Sequence, residues 1–312
     1  MNATRFTRRS LLALFLSVTL TGAYARAQQY EPHVGQEGKD VIWVPTPQAL
    51  VDKMLDMAKV TPKDYVIDLG SGDGRTVITA AKRGARALGI EYNPDMVELS
   101  KRNAAKAGVT DKANFVKADL FESDFSQATV ITMFLLPDIN LRLRPKILDL
   151  KPGIRIVSNS FTMGDWKADD TVTVTDDCAS YCTAYLWIVP AKVEGKWQLP
   201  QGELTLNQTY QMISGTLKNG SNVVQIANGK LNGNEVTFNA GGSLYEKSSA
   251  MVSVRCVSGL NALDLQQPFS VPLEHQFLFG FGAVQSLDLL DRFPITQIVR
   301  VIRPDHDVIR SG

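Results

Sequence analysis

The chain is poor in the residues that build most metal sites and nucleophilic catalytic centres. Of its 312 residues only three are histidine, and His33, His275 and His306 stand far apart in the sequence. Metal sites in proteins usually combine several closely spaced His, Cys or carboxylate ligands, so we expect no metal. No Ser/His/Asp or Cys/His arrangement is recognisable either. The sequence therefore gives no indication of metal-dependent or covalent nucleophilic catalysis.

An excess of charge of one sign and a long apolar run are also missing. The net charge is +1, so bulk electrostatics favour neither nucleic acid nor an anionic membrane as a partner. The apolar run at residues 11–23 is too short to cross a bilayer, and we expect no stable membrane span in the mature chain. With 44% hydrophobic residues, the chain can bury a core in one large domain or two smaller ones.

The segment 1–27 has the pattern of a secretory signal peptide. Arginines precede the apolar run, and Ala25-Arg26-Ala27 supplies a small-residue cleavage pattern, in the order that signal peptides show. Thr7-Arg8-Arg9-Ser10-Leu11-Leu12 also resembles the twin-arginine signal, which exports folded proteins. An ordinary signal, whose arginines are only its charged region, is the alternative. Either signal predicts a periplasmic or secreted mature protein.

Residues 28–192 alternate between strand and helix patterns and form the first predicted domain. Near-continuous apolar strands separated by helices predict a mostly parallel, Rossmann-like α/β sheet with helices on both faces. Two later strands around a short turn would close the sheet as an antiparallel hairpin and bring it to seven strands. The predicted strands are 65–69, 87–91, 114–117, 129–135, 155–158, 171–175 and 184–189, and the helices between them are 76–83, 94–107 and 141–148.

The rest of the chain differs in character. Residues 193–245 are polar and rich in Gly and Asn, and the Asn-Gly pairs at 219–220, 228–229 and 232–233 are hairpin-turn signals. We expect a small all-β domain of four or five short strands there. Residues 246–312 show no repeating hydrophobic period, so this tail is left unassigned.

A glycine-rich turn follows the first predicted strand and precedes a helix. It reads Asp68-Leu69-Gly70-Ser71-Gly72-Asp73-Gly74-Arg75. A dinucleotide fingerprint needs a glycine where Arg75 stands. The form D-x-G-x-G-x-G instead resembles motif I of the class I S-adenosylmethionine-dependent methyltransferases. Carboxylates at the ends of the next two strands, Glu91 and Asp119, fall where that family needs them.

The resemblance implies S-adenosyl-L-methionine as the cofactor and a role for each motif residue. Glu91 would accept hydrogen bonds from the ribose hydroxyls, and Asp119 would face the adenine amino group. Asp68 and the turn, with Gly70, Ser71, Gly72 and Gly74, would face the methionine end. The alternatives are that Glu91 is a solvated acid at a strand end and that Asp119 caps a helix.

Three segments together resemble a bacterial and mitochondrial group of small lysine methyltransferases. They are Val44-Pro45-Thr46-Pro47, the Asp68–Arg75 turn and Gly89-Ile90-Glu91-Tyr92-Asn93-Pro94, and the resemblance covers about residues 41–166. It implies a protein lysine as a possible methyl acceptor, with a small molecule as the alternative. It also implies that the first segment covers the cofactor, which makes Pro45 and Thr46 candidate lid residues.

The segment after the fourth strand is where methyltransferases place groups that face the acceptor. Nucleic-acid amine methyltransferases carry an Asn/Asp-Pro-Pro-aromatic motif there, whereas this chain has Leu136-Pro137-Asp138, which disfavours a base amine and a nucleic-acid partner. Asp138 is a candidate catalytic residue that could orient or deprotonate the acceptor. It is equally a candidate N-cap for a helix that starts near Leu141. Trp166 is a candidate for the acceptor wall or for the core.

Cysteine usage agrees with an oxidising compartment. Cys178 and Cys182 stand four apart in the predicted hairpin turn, which favours a local disulfide over two free thiols, and Cys256 lies in the unassigned tail. Export makes the cofactor harder to explain, since the periplasm has no obvious supply of it. The sequence therefore favours a methyltransferase but leaves open a non-catalytic envelope protein that binds the cofactor or a related nucleoside and interacts through its β domain.

Overall fold

The computed structural model describes residues 30–199, 202–240, 250–257, 262–264 and 300–302. The predicted signal peptide lies outside the described residues. The helices are α1 (Gln48–Met57), α2 (Arg75–Lys82), α3 (Pro94–Ala107) and α4 (Pro137–Leu148). The strands of the N-terminal part are β1 (Tyr65–Leu69), β2 (Arg86–Glu91), β3 (Ala113–Lys117), β4 (Val130–Met133), β5 (Arg155–Asn159), β6 (Asp170–Thr173) and β7 (Thr183–Ile188).

These seven strands form one sheet in the order β3-β2-β1-β4-β5-β7-β6. The first five run parallel, while β7 pairs antiparallel with β5 and β6 pairs antiparallel with β7. The predicted mostly parallel sheet with a terminal hairpin is therefore confirmed. The direction of strand addition reverses between β1 and β4, and a sheet of this kind opens a crevice at the carboxyl ends of the strands on either side of such a point.

Apolar side chains from both faces of the sheet bury two separate cores. Alternate residues of β1 point to opposite faces, so Val66 packs with α1 and α2 while Ile67 and Leu69 pack with α4. Each such fully buried aliphatic side chain stabilises the fold by roughly 1.5–3 kcal/mol. The sheet with its two covered faces is thus a rigid platform whose strand ends can position side chains.

Helix α3 begins and ends where its sequence predicts. The Asn93 side chain accepts hydrogen bonds from the backbone N–H groups of Asp95 at 2.9 Å and Met96 at 3.4 Å, and Pro94 occupies the first helical position. Gly108 ends the helix in the left-handed conformation, with φ of 68°. This N-terminus lies directly after β2, so it also fixes the position of Glu91.

Helix α4 begins four residues earlier than the sequence predicts. Leu136 is its N-cap residue and Pro137 takes its first position, where a proline costs no hydrogen bond. Asp138 therefore lies inside the first turn, and the prediction that it is the N-cap is wrong. The predicted start near Leu141 fails because Pro137 begins this helix instead of interrupting it.

The C-terminal part forms a second sheet of eight strands, all antiparallel. They are β8 (Gly195–Leu199), β9 (Gly202–Thr209), β10 (Met212–Asn219), β11 (Asn222–Asn232), β12 (Glu235–Ala240), β13 (Ala250–Val257), β14 (Ala262–Asp264) and β15 (Arg300–Ile302). The sheet closes on itself through pairing of β15 with β8. It therefore has more strands than predicted and extends past residue 245 into the stretch that the sequence left unassigned.

One predicted hairpin turn in this sheet is wrong. Gly220 and Gly233 lie in the turns between β10, β11 and β12, but the Asn228-Gly229 pair lies within β11, where the pairing registers shift. Asn228 has a positive φ of 53° there. An irregularity in a strand uses the same backbone conformation as a tight turn, which explains why the sequence signal does not distinguish them.

The two sheets contact each other through an aromatic and polar interface. The Trp166 ring is fully buried and lies between Trp187 and Tyr210, with ring centroids 6.2 and 5.9 Å away. Gln211 donates a hydrogen bond from Nε2 to the carbonyl oxygen of Lys167 at 2.7 Å. Trp166 is thus part of the core and not of an acceptor wall. Among the described residues, no helix has the length and apolar character needed to cross a membrane.

Candidate active site

The glycine turn bends the chain sharply between β1 and α2. Gly70, Gly72 and Gly74 all have positive φ, at 78°, 54° and 83°. A Cβ on Gly72 would lie 2.8 Å from Nε1 of Trp43, so the indole packs against bare backbone. The turn opens a cavity at the carboxyl ends of β1, β2 and β4, which is where a ligand binds in a sheet of this kind. Gly74 does not line that cavity, because it faces the Phe115 ring instead.

Glu91 is held in place by the turn on one side and by α3 on the other. Its Oε2 accepts a hydrogen bond from the backbone N–H of Gly72, and its Oε1 accepts one from that of Asn93, each at 2.9 Å. A carboxylate has about four acceptor positions, so both oxygens retain capacity for ligand hydroxyls. Glu91 lines the cavity and is an anchored acceptor, in contrast to the alternative of a freely solvated acid.

Asp68 is buried at the base of the cavity. Its Oδ1 accepts a hydrogen bond from Oγ1 of Thr132 at 2.7 Å, which joins the ends of β1 and β4. Burial raises the pKa of Asp68 to about 7, and the negative charges of Glu91 and Asp73 add to the rise, while the Thr132 hydrogen bond opposes it. A cationic ligand group at this position would favour the ionised carboxylate.

Ser71 lines the cavity, but its hydroxyl points away from the open space. The Oγ is buried without a hydrogen-bond partner among the described residues and lies against Gly89, where a Cβ would come within 2.5 Å of it. Gly89 thus leaves room for the Ser71 side chain, and the backbone of the turn borders the cavity. The Asp68 and Glu91 carboxylates, together with the bare backbone of Gly70 and Gly72, make the residues of this cavity suitable for S-adenosyl-L-methionine.

Asp119 lies at the far side of the cavity, after β3. Its Oδ1 accepts a hydrogen bond from the backbone N–H of Phe121 at 2.9 Å, and its Oδ2 forms an ion pair with Lys39. The Lys39 ammonium holds the pKa of the Asp119 carboxyl below its usual value. The residues that follow form turns and no helix, so Asp119 is not a helix cap. Asp119 lines the same cavity as Asp68 and Glu91.

A short hairpin, residues 35–43, covers the cavity, and we call it the lid hairpin. It is closed by hydrogen bonds from the backbone N–H of Gly35 to the Trp43 carbonyl and from the Trp43 N–H to the Gln36 carbonyl, both 2.9 Å. Lys39 at its tip contacts Asp119 and lies over the Tyr92 ring, 4.6 Å from its centroid. The lid hairpin therefore spans the cavity from the glycine turn, where Trp43 packs against Gly72, to Asp119.

Pro45 and Thr46 follow the lid hairpin and line the cavity. Thr46 is tied down twice. Its Oγ1 accepts a hydrogen bond from Nδ2 of the fully buried Asn159 at 3.2 Å, and its carbonyl oxygen accepts one from Nη1 of Arg75 at 2.8 Å. The arginine that stands in place of a third glycine is thus the residue that anchors the covering segment to the turn.

A second cavity adjoins the first and shares with it the lid hairpin and the end of β4. We call it the aromatic groove. Three rings form its wall: Phe134 lies 5.2 Å from Tyr181 and 6.0 Å from Phe161 between ring centroids. The exposed carboxylates of Glu37 and Asp40 lie at its rim. The groove thus combines apolar walls with a negatively charged rim, directly beside the cavity that suits the cofactor.

Comparison with known proteins identifies the family. The family model of the ANTKMT methyltransferase domain matches residues 68–170. A protein-lysine N-methyltransferase of Saccharolobus islandicus is 43% identical over 163 residues, which cover 51% of this chain and 96% of that protein. A human lysine N-methyltransferase whose name refers to a component of the ATP synthase is 33% identical over 162 residues, 51% of this chain and 68% of that protein. The chain belongs to this methyltransferase family.

Solved structures include a similar chain. It is an RNA methyltransferase from Salinibacter ruber in complex with S-adenosyl-L-homocysteine, which is 47% identical to this chain. The match covers 48% of this chain and 96% of the Salinibacter chain, with a TM-score of 0.45.

The chain is an S-adenosyl-L-methionine-dependent methyltransferase. When bound, the cofactor supplies a methyl group activated by a sulfonium, so the protein mainly has to orient the reactants and exclude water. Here Glu91, Asp119 and the Asp68–Ser71 strand end would hold the cofactor, and Trp43 with Thr46 would cover it. Among the described residues, no group of three or more His, Cys, Asp or Glu side chains is placed to hold a metal ion.

In this methyltransferase the three rings of the aromatic groove belong to three different segments of the chain. The Phe161 carbonyl oxygen accepts hydrogen bonds from Ser158 Oγ at 2.7 Å and from Nδ2 of the buried Asn140 at 3.3 Å. Tyr181 instead lies in the loop between β6 and β7, where Cys178 and Cys182 are joined by a disulfide. Phe134 directly follows β4. Each ring thus comes from a different strand end.

Asp138, the candidate catalytic residue, lies outside the aromatic groove. It is exposed in the first turn of α4 and lines neither cavity. Its neighbours Leu136 and Ile139 do line them, so the helix turns the carboxylate away from the site. The geometry gives no support to a catalytic role for Asp138.

Several site residues are missing from the sequence prediction. Trp43, Lys39, Phe161 and Tyr181 line the cavities without belonging to a recognisable motif. Only position gives a signal for Phe161: it follows β5 closely, and the carboxyl ends of parallel strands carry the ligand-binding residues. Tyr181 carries a weaker signal, since it stands between the two predicted disulfide cysteines.

Proposed function

We propose that this methyltransferase transfers its methyl group to the ε-amino group of a lysine in a protein. The observation that carries the proposal is the aromatic groove. It shares Val44, Phe134 and Leu135 with the cofactor cavity, so an elongated side chain lying in the groove ends beside the cofactor. The carboxylates of Glu37 and Asp40 at the rim attract a cation.

The groove suits both parts of a lysine side chain. Its rings and aliphatic side chains pack against the four methylene groups, as long basic side chains pack along apolar surface elsewhere in proteins. A lysine must lose a proton before its nitrogen can act as a nucleophile. Removal from water disfavours the charged ammonium and lowers its pKa, so Phe134 and Phe161 favour the neutral amine at the inner end of the groove.

A protein fits the mouth of the groove better than a small polar molecule does. Ile42, Leu136 and Tyr181 line it and are 57%, 44% and 43% exposed. Exposed apolar side chains grouped around a groove are typical of surfaces that bind other proteins. The acidic rim would repel the phosphates of a nucleic acid, and for this reason we propose no nucleic-acid substrate. The names of the two curated relatives described above give further support to a protein lysine.

We also propose that the mature protein acts outside the cytoplasm. The signal-peptide pattern at residues 1–27 supports export, and the Cys178–Cys182 disulfide supports an oxidising compartment. A twin-arginine route would export the folded protein with its cofactor already bound, which supplies S-adenosyl-L-methionine for a single turnover.

Labelling of an envelope extract tests the proposed acceptor. The purified mature protein is incubated with methyl-labelled cofactor and envelope protein, and the products are digested and searched for methyl-lysine by mass spectrometry. We expect label in protein that survives nuclease treatment and disappears when the lysines of the extract are first blocked by exhaustive acetylation, because an amide nitrogen is not a nucleophile. Label that resists lysine blocking, or that follows the nuclease-sensitive fraction, would contradict the proposal. Glu91→Ala is the matched control, since it retains the groove but loses the cofactor anchor.

A further inference from the structure

The loop from Cys178 to Cys182 contributes to the site although it lies in the distal hairpin of the sheet. It connects β6, which ends at Thr173, to β7, which begins at Thr183. Because β7 runs antiparallel to β5, with Ala184 opposite Asn159, this connection lies at the same edge of the sheet as the ends of β4 and β5. The loop thereby reaches the aromatic groove.

Tyr181 is the residue of this loop that lines the groove. Its ring lies edge-on to Phe134 at 5.2 Å and tilted towards Phe161 at 6.2 Å, within the range in which aromatic pairs attract each other. It remains 43% exposed. Tyr181 therefore forms the outer wall of the groove, while the two phenylalanines form the inner one.

The loop holds Tyr181 in a backbone conformation that a tyrosine seldom adopts. Its φ is 56°, and Asp177, which precedes the loop, has a φ of 55°. The left-handed conformation costs about 1–2 kcal/mol for a residue with a side chain, so other loop conformations compete with it. The covalent bond between Cys178 and Cys182 removes many of these competitors. Closure of the loop by this bond therefore favours the conformation in which Tyr181 lines the groove.

The same loop does not contribute to the cofactor cavity. No residue from 178 to 182 is among the described residues that line it. Acceptor binding and cofactor binding can therefore respond differently to a change in this loop, which gives a way to separate them.

We propose that the disulfide-closed loop 178–182 is an acceptor-recognition element, in which the bond between Cys178 and Cys182 fixes Tyr181 as a wall of the groove for a lysine side chain. The proposal rests on the proposed function for the identity of the acceptor. Acceptor affinity then depends on the redox state. An external dithiol that gives up two electrons converts the bond into two thiols and becomes a disulfide itself, and the freed loop releases Tyr181.

Four proteins test the proposal: the wild type, Tyr181→Ala, Tyr181→Phe and the double variant Cys178→Ser/Cys182→Ser. For each, the half-saturating concentration of envelope extract in the methyl-transfer assay is compared with the dissociation constant of S-adenosyl-L-methionine from calorimetry. We expect Tyr181→Ala to raise the half-saturating concentration about tenfold, which corresponds to the loss of about 1.4 kcal/mol of contact. Tyr181→Phe retains the ring and should stay within about twofold of the wild type, and every variant should bind the cofactor normally.

The double variant isolates the covalent bond, because it retains the loop length and Tyr181. We expect a rise of about threefold in the half-saturating concentration, the same rise on adding a dithiol to the wild type, and no effect of the dithiol on the double variant. The last comparison also controls for Cys256. An unchanged half-saturating concentration in Tyr181→Ala or in the double variant overturns the proposal, and so does a parallel loss of cofactor affinity.

A direct binding measurement separates this proposal from the proposed function. The probe is n-butylammonium, which has the length and charge of a lysine side chain, and its binding to the cofactor-loaded protein is followed by NMR shifts of aromatic resonances. We expect weaker binding in Tyr181→Ala and in the double variant than in the wild type. If the wild type labels no lysine in the extract, the proposed function fails. Equal binding of n-butylammonium by all four proteins would reject the recognition loop instead.

Discussion

The Arg75 guanidinium donates a hydrogen bond from Nη1 to the carbonyl oxygen of Thr46 at 2.8 Å. The same guanidinium pairs with Asp73 through Nη2 at 2.7 Å. It therefore joins the first turn of α2 to the segment that covers the cofactor cavity, across 29 residues of chain. A glycine at position 75, as in a dinucleotide fingerprint, would leave that segment without this anchor.

Arg75→Ala should therefore weaken cofactor binding without unfolding the protein. Loss of a hydrogen bond from a charged donor costs about 1.5–3 kcal/mol, so we expect the dissociation constant of S-adenosyl-L-methionine to rise by about tenfold or more in calorimetry. Arg83→Ala is the matched control, because Arg83 follows the C-terminal end of α2 and forms ion pairs with Asp52 and Asp56 of α1, and it does not line the cavity. Equal affinity in Arg75→Ala and wild type would show that the covering segment needs no anchor.

Substitution of Glu91 should abolish most cofactor binding. Glu91→Ala leaves the backbone N–H groups of Gly72 and Asn93 without their acceptors and removes the carboxylate from the cavity, so we expect a loss of about 100-fold in affinity, or about 2.7 kcal/mol. Gly72→Val should act similarly, because a Cβ there meets Trp43 at 2.8 Å. Calorimetry with competition by S-adenosyl-L-homocysteine measures both. Glu98→Ala, at an exposed position, serves as the control. If Glu91→Ala binds S-adenosyl-L-methionine as tightly as the wild type does, Glu91 does not contribute to cofactor binding.

The buried carboxylate of Asp68 should make the stability of the ligand-free protein depend on pH. The pKa of Asp68 is about 7 in the folded protein, compared with the ordinary value of 3.8 that applies to the unfolded chain. The folded state therefore binds the proton more tightly than the unfolded chain does. The stabilisation from the protonated form is complete below about pH 3.8 and is lost as the pH rises towards 7, with no further change above that.

We expect Asp68→Asn to remove much of this dependence, because the amide oxygen can still accept the Thr132 hydrogen bond but carries no proton that titrates. Thermal unfolding between about pH 5 and 8 measures the effect. The melting temperature of the wild type should fall more across this range than that of the variant. Parallel curves for the two proteins would assign the pH dependence to other groups.

The export signal can be tested separately from the enzyme. Residues 1–30 fused to a reporter that is active only after export in the folded state should give a signal that Arg8→Lys/Arg9→Lys abolishes, since the twin-arginine route reads both arginines. Arg5→Lys, outside the pair, is the control. Equal reporter activity in the paired lysine variant would refute the twin-arginine signal, and no activity with the wild-type segment would indicate an ordinary secretory signal, which carries an unfolded chain.

Local features of this protein are readable from the sequence because local interactions determine them. The β1 strand, the glycine turn and the Asn93 cap of α3 each depend on residues within a few positions of one another, and the structure has each of them as predicted. The seven-stranded sheet follows from the same periodicities and from the limited ways in which βα units connect. Glu91 and Asp119 could be selected as candidate site residues because they follow β2 and β3 at the positions where the resemblance to the class I methyltransferases implies carboxylates.

The rest depends on contacts between residues that are distant in sequence. Nothing near Asp138 reveals that α4 turns it away from both cavities, and nothing near Arg75 reveals Thr46 as its partner. The closure of the second sheet requires β15 to pair with β8, about a hundred residues earlier. The aromatic groove joins rings from three strand ends, so it exists only once β4, β5 and the hairpin of β6 and β7 are assembled. Local propensity specifies the cofactor turn, whereas the packing of separate elements decides what can lie beside it.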